Sequence, residues 1–319
     1  MLAARFHDQR GLDSLRVEEV DRPTPGPNEA VVAVGAASVN AIDGRVLAGE
    51  FEMPTLPAIL GGDLAGTVEA VGPGVSAFEP GDRVFGTPMS LDPRGTFAED
   101  AVVPAERLAP LPDSIAFETA TAAASVGSTA YHCLIELAGL RPGETCLVHG
   151  ASGGVGHLAV QLAAASGARV IGTAGSAAAR ERVREFGADV ALDYGAGDLE
   201  DEIAAAAPDG VDVVLDHRLG EYLPVDLAVA ATGCRIVAIQ GDVPAASGAA
   251  LRNNAVALYG RSGETWTDRR EFLSETLVTL LESGTLTPAI QAVYDLADVV
   301  EAERAMAEER VAGKLVVRP

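Results

Sequence analysis

The run Cys146-Leu147-Val148-His149-Gly150-Ala151-Ser152-Gly153-Gly154-Val155-Gly156 carries the clearest chemistry in the chain. A short apolar stretch breaks on small residues, and apolar positions resume at Val155, Leu158, Ala159 and Leu162 with a helical period. The order is strand, glycine-rich turn, helix, and the turn has the spacing Ala151-x-Gly153-x-x-Gly156. That arrangement suits a dinucleotide, because small residues let the backbone approach a pyrophosphate and the helix start offers unpaired N–H groups and a positive dipole end. The plainer reading is a tight structural turn. Ser152, Gly153, Gly154, Val155 and Gly156 are the candidate phosphate contacts. An NAD site places Asp or Glu about 20 residues past the glycines, on the ribose hydroxyls. Here that stretch, Gly172-Thr173-Ala174-Gly175-Ser176, is neutral, and no acid comes before Glu181. A neutral turn leaves room for a 2′-phosphate and points to NADPH, with Thr173 and Ser176 as hydroxyl contacts.

Such a turn needs a parallel sheet beneath it. Candidate strands at Thr145–His149, Ala168–Thr173, Asp189–Leu192, Val211–Asp216, Cys234–Gln240 and Ala255–Tyr259 alternate with helical stretches at Val155–Ala165, Ala177–Phe186, Leu199–Ala206 and around Tyr222–Ala231. Strict alternation predicts an α/β domain with a six-stranded, doubly wound parallel sheet. Before it, short runs broken by Gly and Pro predict strands at Leu15–Val20, Ala30–Val39, Gly66–Val71, Asp82–Phe85 and Ala98–Val103, a partly closed antiparallel β domain. A helix is expected between Ile115 and Gly139. After Tyr259 the pattern predicts a helix around Asp268–Ser283, a strand at Val293-Tyr294, a helix around Ala297–Arg310 and a last strand, Lys314–Val317. This final segment has no core of its own and should return to the N-terminal β domain. The expected division is 1–122, 123–258 and 259–319, with the nucleotide domain inserted in the other.

A chain of 319 residues can bury two such cores. Its 46 acidic against 23 basic residues give a formal charge of −23, which repels nucleic acid backbones and anionic membranes. No apolar stretch reaches membrane-spanning length and the first residues lack a signal-peptide core, so a cytoplasmic protein is expected. Cys133, Cys146 and Cys234 are far apart in apolar surroundings and read as buried free thiols.

Several motifs occur together in one order: Ser38-Val39-Asn40-Ala41-Ile42-Asp43, Gly61-Gly62-Asp63-Leu64-Ala65-Gly66-Thr67-Val68-Glu69-Ala70-Val71-Gly72, Pro80-Gly81-Asp82-Arg83-Val84-Phe85-Gly86, His149–Gly156 and Gly313-Lys314-Leu315-Val316-Val317. With them the chain resembles, nearly end to end, the zinc-free, quinone-oxidoreductase-like (zeta-crystallin-like) branch of the medium-chain dehydrogenase/reductases. The resemblance implies a Rossmann domain inserted in a GroES-like catalytic domain, an NADPH cofactor and a homodimer, with edge pairing near Ala255–Tyr259. Metal-dependent members carry Cys where Asn40 stands and His where Gly62 stands, and structural-zinc members need four close cysteines that Phe85–Asp100 lacks, so no metal is expected.

The same resemblance implies further site residues. Asn40 would face the nicotinamide and can donate its amide N–H to a substrate carbonyl. Asp43 either touches substrate or caps the loop as a helix start. Thr129 and Gly241 match positions beside the nicotinamide, and Tyr194 an aromatic at the adenine end. Similar NADPH enzymes often have Lys at Ala179, and here the charge moves to Arg180, which either binds the 2′-phosphate or is a solvated helix residue. Arg45 replaces a Tyr and either recognises an anionic group or points into solvent. His217 is either a general acid near neutral pH or a bystander. Trp266 with Arg261-Ser262-Gly263 could line the cleft rim.

The function that follows is NADPH-dependent, zinc-independent hydride transfer to a quinone or to an α,β-unsaturated carbonyl compound. The alternatives are a weakly catalytic NADPH-binding scaffold or interaction protein and, behind it, a metal-dependent alcohol dehydrogenase.

Overall fold

The computed structural model describes residues 1–88, 91–195, 197–244, 248–261, 269–309 and 311–319. The chain divides into two compact units, Met1–Ser128 with Thr267–Pro319, and Thr129–Trp266.

The first unit contains β1 (Leu2–Phe6), β2 (Leu15–Glu19), β3 (Glu29–Ser38), β4 (Ala58–Ile59), β5 (Leu64–Val71), β6 (Arg83–Gly86), β7 (Asp100–Pro104) and β8 (Leu108–Pro110), most of them short where Gly and Pro are dense. Between β3 and β4 lies the short helix α1 (Ala41–Leu47). The β1 strand was not expected from sequence. It pairs with β2 along its length, with β4 at Arg5 and Phe6 and with Ala98 through Ala3, and the last two contacts come from segments far along the chain. The helix α2 (Phe117–Tyr131) follows β8 and continues as a π-helical turn, His132–Leu137.

The second unit contains β9 (Thr145–Val148), α3 (Gly154–Ala165), β10 (Arg169–Ala174), α4 (Ala177–Glu185), β11 (Val190–Asp193), α5 (Leu199–Ala206), β12 (Val211–Asp216), α6 (Leu219–Val229), β13 (Ala230–Ala238), α7 (Gly248–Asn253) and β14 (Ala257–Gly260). The strands lie in the order β11-β10-β9-β12-β13-β14, and every pair is parallel. This is the doubly wound sheet that the alternation predicts. Cys146, Leu147 and Val148 of the central β9 have no exposed surface, because a strand covered by helices on both faces must be apolar on both. Leu147 packs with Ile171, Val214, Leu223 and Ile236 in one cluster.

The chain then returns to the first unit. Helical segments Arg269–Glu271, Phe272–Leu277 and Val278–Glu282 precede β15 (Ile290–Asp295), the helix Val299–Glu308 and β16 (Lys314–Arg318). The expected first residue of the first of these helices, Asp268, and the last of the next, Arg310, lie outside the described residues. The β16 strand pairs antiparallel with β3, completing the sheet order β15-β16-β3-β5-β6-β8, with β7 also on β3. Final strand and N-terminal strands thus share one core, which includes Val32, Val34, Leu64, Val68, Leu315 and Val317.

Leu147→Ala should cost about 2–5 kcal/mol, because a close-packed sheet centre relaxes little around a deletion. Denaturant melts followed by circular dichroism would check this, and an unchanged midpoint would contradict it.

Candidate active site

The expected phosphate turn sits at the carboxyl end of β9, beside β12, where the strand order reverses; open α/β sheets present their ligand crevice at this switch point. Gly153 is the N-cap of α3, with no side-chain cap, and the first helical hydrogen bond is given by the N–H of His157 to the carbonyl of Gly153 at 3.0 Å. The N–H groups of Gly154, Val155 and Gly156 precede it, and such groups are available to an anion. Ser152 to Val155 are partly exposed, and a Cβ on Gly153 would meet nothing closer than 3.3 Å. By contrast, a Cβ on Gly156 would lie 2.2 Å from the carbonyl oxygen of Gly150, so only glycine lets the helix pack against its own turn.

A buried polar chain holds this turn from below. His149 Nε2 donates to Asp226 Oδ1 at 2.8 Å, and neither side chain has exposed surface. Thr173 Oγ1 accepts the N–H of Gly150 at 3.2 Å and lies 3.3 Å from His149 Nδ1. His149 also stacks on Tyr222, with centroids 4.2 Å apart and planes 1° from parallel. Thr173 is fully buried, and its hydroxyl shapes the turn through the Gly150 N–H.

Asp216, at the end of β12, is buried and accepts the N–H of Arg218 at 2.6 Å. Burial, followed by the repulsion of Asp226, pushes it up to about 7. The second oxygens of both aspartates, Asp216 Oδ2 and Asp226 Oδ2, are buried without a hydrogen-bond partner. His217 lies under Gly150, where a Cβ would come within 2.7 Å of its ring. Burial, with His149 and Arg218 adding to it, pushes His217 down to about 4. Burial disfavours the charged ring, and with it the general-acid alternative for His217.

At the 2′-phosphate position, Ser176 caps α4 by accepting the N–H of Ala179 at 3.2 Å. Tyr194 lies over Gly175, its hydroxyl 2.2 Å from where a Cβ would stand. Arg180 is neither free nor simply solvated: its Nη1 meets Asp193 Oδ2 at 2.5 Å. This acid reaches the turn from β11, where it pairs with Ala174, and counting along the chain from the glycines misses it. Gly241, exposed after β13, has φ of +106°, and a Cβ there would approach the backbone nitrogen of Leu219 to 2.9 Å.

In the first unit Asn40 precedes α1. Its Oδ1 accepts from Lys314 Nζ at 2.6 Å, and its Nδ2 donates to Asp63 Oδ2 at 2.9 Å and, more weakly, to the carbonyl of Ser38 at 3.3 Å. Asp43 has no exposed surface, and its Oδ2 accepts the N–H of Asn40 at 2.7 Å. That bond is the loop-ordering, helix-capping alternative for Asp43. Arg45 is tied to Glu50 at 2.7 Å and lies over the Phe51 ring. Thr129 is buried near the end of α2. Ser262, Gly263 and Trp266 lie outside the described residues.

Among the described residues no group of three or more His, Cys, Asp or Glu is disposed to hold a metal ion. Asn40 Oδ1 faces a buried ammonium, a poor neighbour for a divalent cation, so the residues do not fit a catalytic zinc. The three cysteines are free and buried, and burial pushes each thiol up to about 12. No helix among the described residues is long and apolar enough to cross a membrane.

Residues 26–113 match the family model for the alcohol dehydrogenase GroES-like domain, and residues 154–275 that for zinc-binding dehydrogenases. A quinone oxidoreductase of Rattus norvegicus is 35% identical over 242 residues, 75% of this chain and 73% of that protein. The structure of Escherichia coli quinone oxidoreductase complexed with NADPH superposes with a TM-score of 0.92 at 28% identity, covering 100% of both chains. A structure described as an NAD-dependent alcohol dehydrogenase superposes with a TM-score of 0.91 at 32% identity, again over 100% of both.

With its value raised, Asp216 in the folded protein keeps a proton that unfolded aspartates lose near pH ~4. The stability it contributes is full below that value and is lost as pH rises toward 7. Asp216→Asn keeps an acceptor for Arg218 and cannot ionise. Urea melts at pH 5 and pH 8 should show a smaller loss of stability with pH in the variant than in the wild type; equal losses would contradict the assignment.

Proposed function

Because the chain belongs to the medium-chain dehydrogenase/reductases, in their quinone-oxidoreductase-like branch, and is an oxidoreductase built for a nicotinamide cofactor, we propose that it uses NADPH, without zinc, to reduce a quinone or an α,β-unsaturated carbonyl compound. The observation that carries this reading is the open, uncapped start of α3 at Gly154–Gly156, followed by a turn after β10 beside which Asp193 holds the cation Arg180. The N–H groups of Gly154, Val155 and Gly156 would hold the pyrophosphate, while that of Gly153 is bound to the Gly150 carbonyl at 2.9 Å and shapes the turn. Ser176 and Arg180 would hold the 2′-phosphate, with Asp193 aligning the guanidinium, and Tyr194 would lie at the adenine end. Thr129 and Gly241 would flank the nicotinamide.

When bound, the cofactor supplies a hydride. The chain's own task is then to orient the acceptor and stabilise the charge that appears on its oxygen. Asn40 is the donor for this: its weak 3.3 Å contact to Ser38 can give way to a substrate oxygen while the 2.9 Å bond to Asp63 stays. Burial disfavours a charged His217, so the closing proton in the enone case comes from water. A homodimer forms through β14, the outer strand of its sheet, whose Tyr259 is exposed.

Stopped-flow absorbance with a panel of quinones and enones should record NADPH oxidation. Tight NADPH binding without turnover on any acceptor would favour the scaffold reading instead. Arg180→Ala should weaken NADPH by about 10- to 100-fold, the worth of a charged hydrogen bond, and leave NADH nearly unchanged. Equal loss for both would remove Arg180 from the phosphate. Light scattering should give twice the 32.6 kDa chain mass, and a monomer would contradict the dimer.

A further inference from the structure

Lys314 opens β16, and it is 1% exposed in a strand whose next three residues, Leu315, Val316 and Val317, are fully buried. An ammonium in that place is expensive to desolvate, and a methionine of similar length would suit the strand better. Its Nζ donates to the carbonyl of Val39 at 2.5 Å and to Asn40 Oδ1 at 2.6 Å. Three carboxyl groups face it: Asp63 from the start of the β5 segment, Asp43 from α1 and Glu303 from the helix Val299–Glu308. Burial pushes Lys314 down and these acids push it back up. Glu303 is raised well above the usual carboxylate range by burial and then by Asp43.

This arrangement acts on one amide. Asn40 has a cation at its oxygen end and the Asp63 carboxylate, which also accepts from Ser38 Oγ at 2.9 Å, at its nitrogen end. Turning the amide over would set NH2 against ammonium and carbonyl against carboxylate, so a single orientation survives. A hydrogen bond to a charge at each end also polarises the amide and strengthens its N–H groups as donors. Ser38, Asp43, Asp63, Glu303 and Lys314 are all buried, and Asn40 is the one member of the group that reaches the surface. Whatever the buried charges do for a ligand, they do through Asn40.

We propose that Lys314 is a positioning residue for the reduction: its ammonium locks and polarises the Asn40 carboxamide so that Nδ2, not Oδ1, meets the oxygen on which negative charge develops. The inference rests on the functional reading above, in which Asn40 donates to the acceptor.

The test is a double-mutant cycle on the full-length enzyme, with Lys314→Met, Asn40→Ala and the pair, using NADPH and whichever quinone or enone the wild type reduces. Lys314→Met should lower kcat by about 10- to 100-fold, in the range seen when an oxyanion donor is lost or misaligned. KM for the acceptor and the NADPH dissociation constant, read by nicotinamide fluorescence, should both change less than about threefold. The primary isotope effect with 4-deuterated NADPH should rise, since the hydride step is the one slowed. In the Asn40→Ala background Lys314→Met should have no further effect on kcat. Should Lys314→Met fail to fold, Lys314→Gln keeps a donor for Asn40 Oδ1 and carries the same cycle, with a smaller loss.

Unchanged kcat in the foldable Lys314 variant, or losses that multiply independently in the double mutant, would overturn the role of Lys314 while leaving the reductase reading intact. A wild type that reduces no acceptor would end the reductase reading, and this inference with it.

Discussion

The hydrogen bond between His149 Nε2 and Asp226 is the interaction from which the nucleotide-binding unit takes its shape. Neither side chain touches water, so each must find its partners inside the protein or carry an unmet desolvation cost. Meeting that demand joins the end of β9 to α6, brings Thr173 from β10 onto the same imidazole, and through Thr173 fixes the N–H of Gly150. The turn above is then decided. Gly156 can pack on Gly150 only as glycine, and the start of α3 faces outward uncapped.

The first unit solves a similar problem with the opposite sign at its centre. A buried ammonium, Lys314, faces three acids, and Asn40 is the member of the group that reaches the surface. Both units thus place a buried charge cluster directly behind a small polar element that meets the surface, a backbone turn in one and a carboxamide in the other. Buried ionic groups are weak stabilisers, and their value in these places is the single orientation they impose.

Polar residues at the right points along the chain find partners inside the protein. Thr173 and Asp43 accept the N–H groups of Gly150 and Asn40, and the ring of His217 packs under Gly150. Arg180 is the intermediate case: the chain position places it at the phosphate turn, and Asp193, arriving from the adjacent strand, sets its direction. A side chain's partners come from segments tens of residues away, and no spacing rule records them. One signal was available, since a lysine inside Gly313-Lys314-Leu315-Val316-Val317 breaks an otherwise apolar strand and marks a charge that must be met from within.

What the sequence determined by itself is the element pattern and its chemistry of approach. The period-switching strands and helices set the parallel sheet, the small residues of Ala151–Gly156 set where a backbone can come close to an anion, and Asn40 and Gly62 set which ligands a metal would lack. These are local properties, written in residue size, period and charge. Tertiary structure alone decided which polar side chains face outward. It buried β1 between β2 and β4, gave Thr173 to Gly150, gave Asp193 to Arg180 and placed Lys314 behind Asn40. The reason is that a buried polar group is stable only beside its partners, and those partners meet only once the chain has closed on itself.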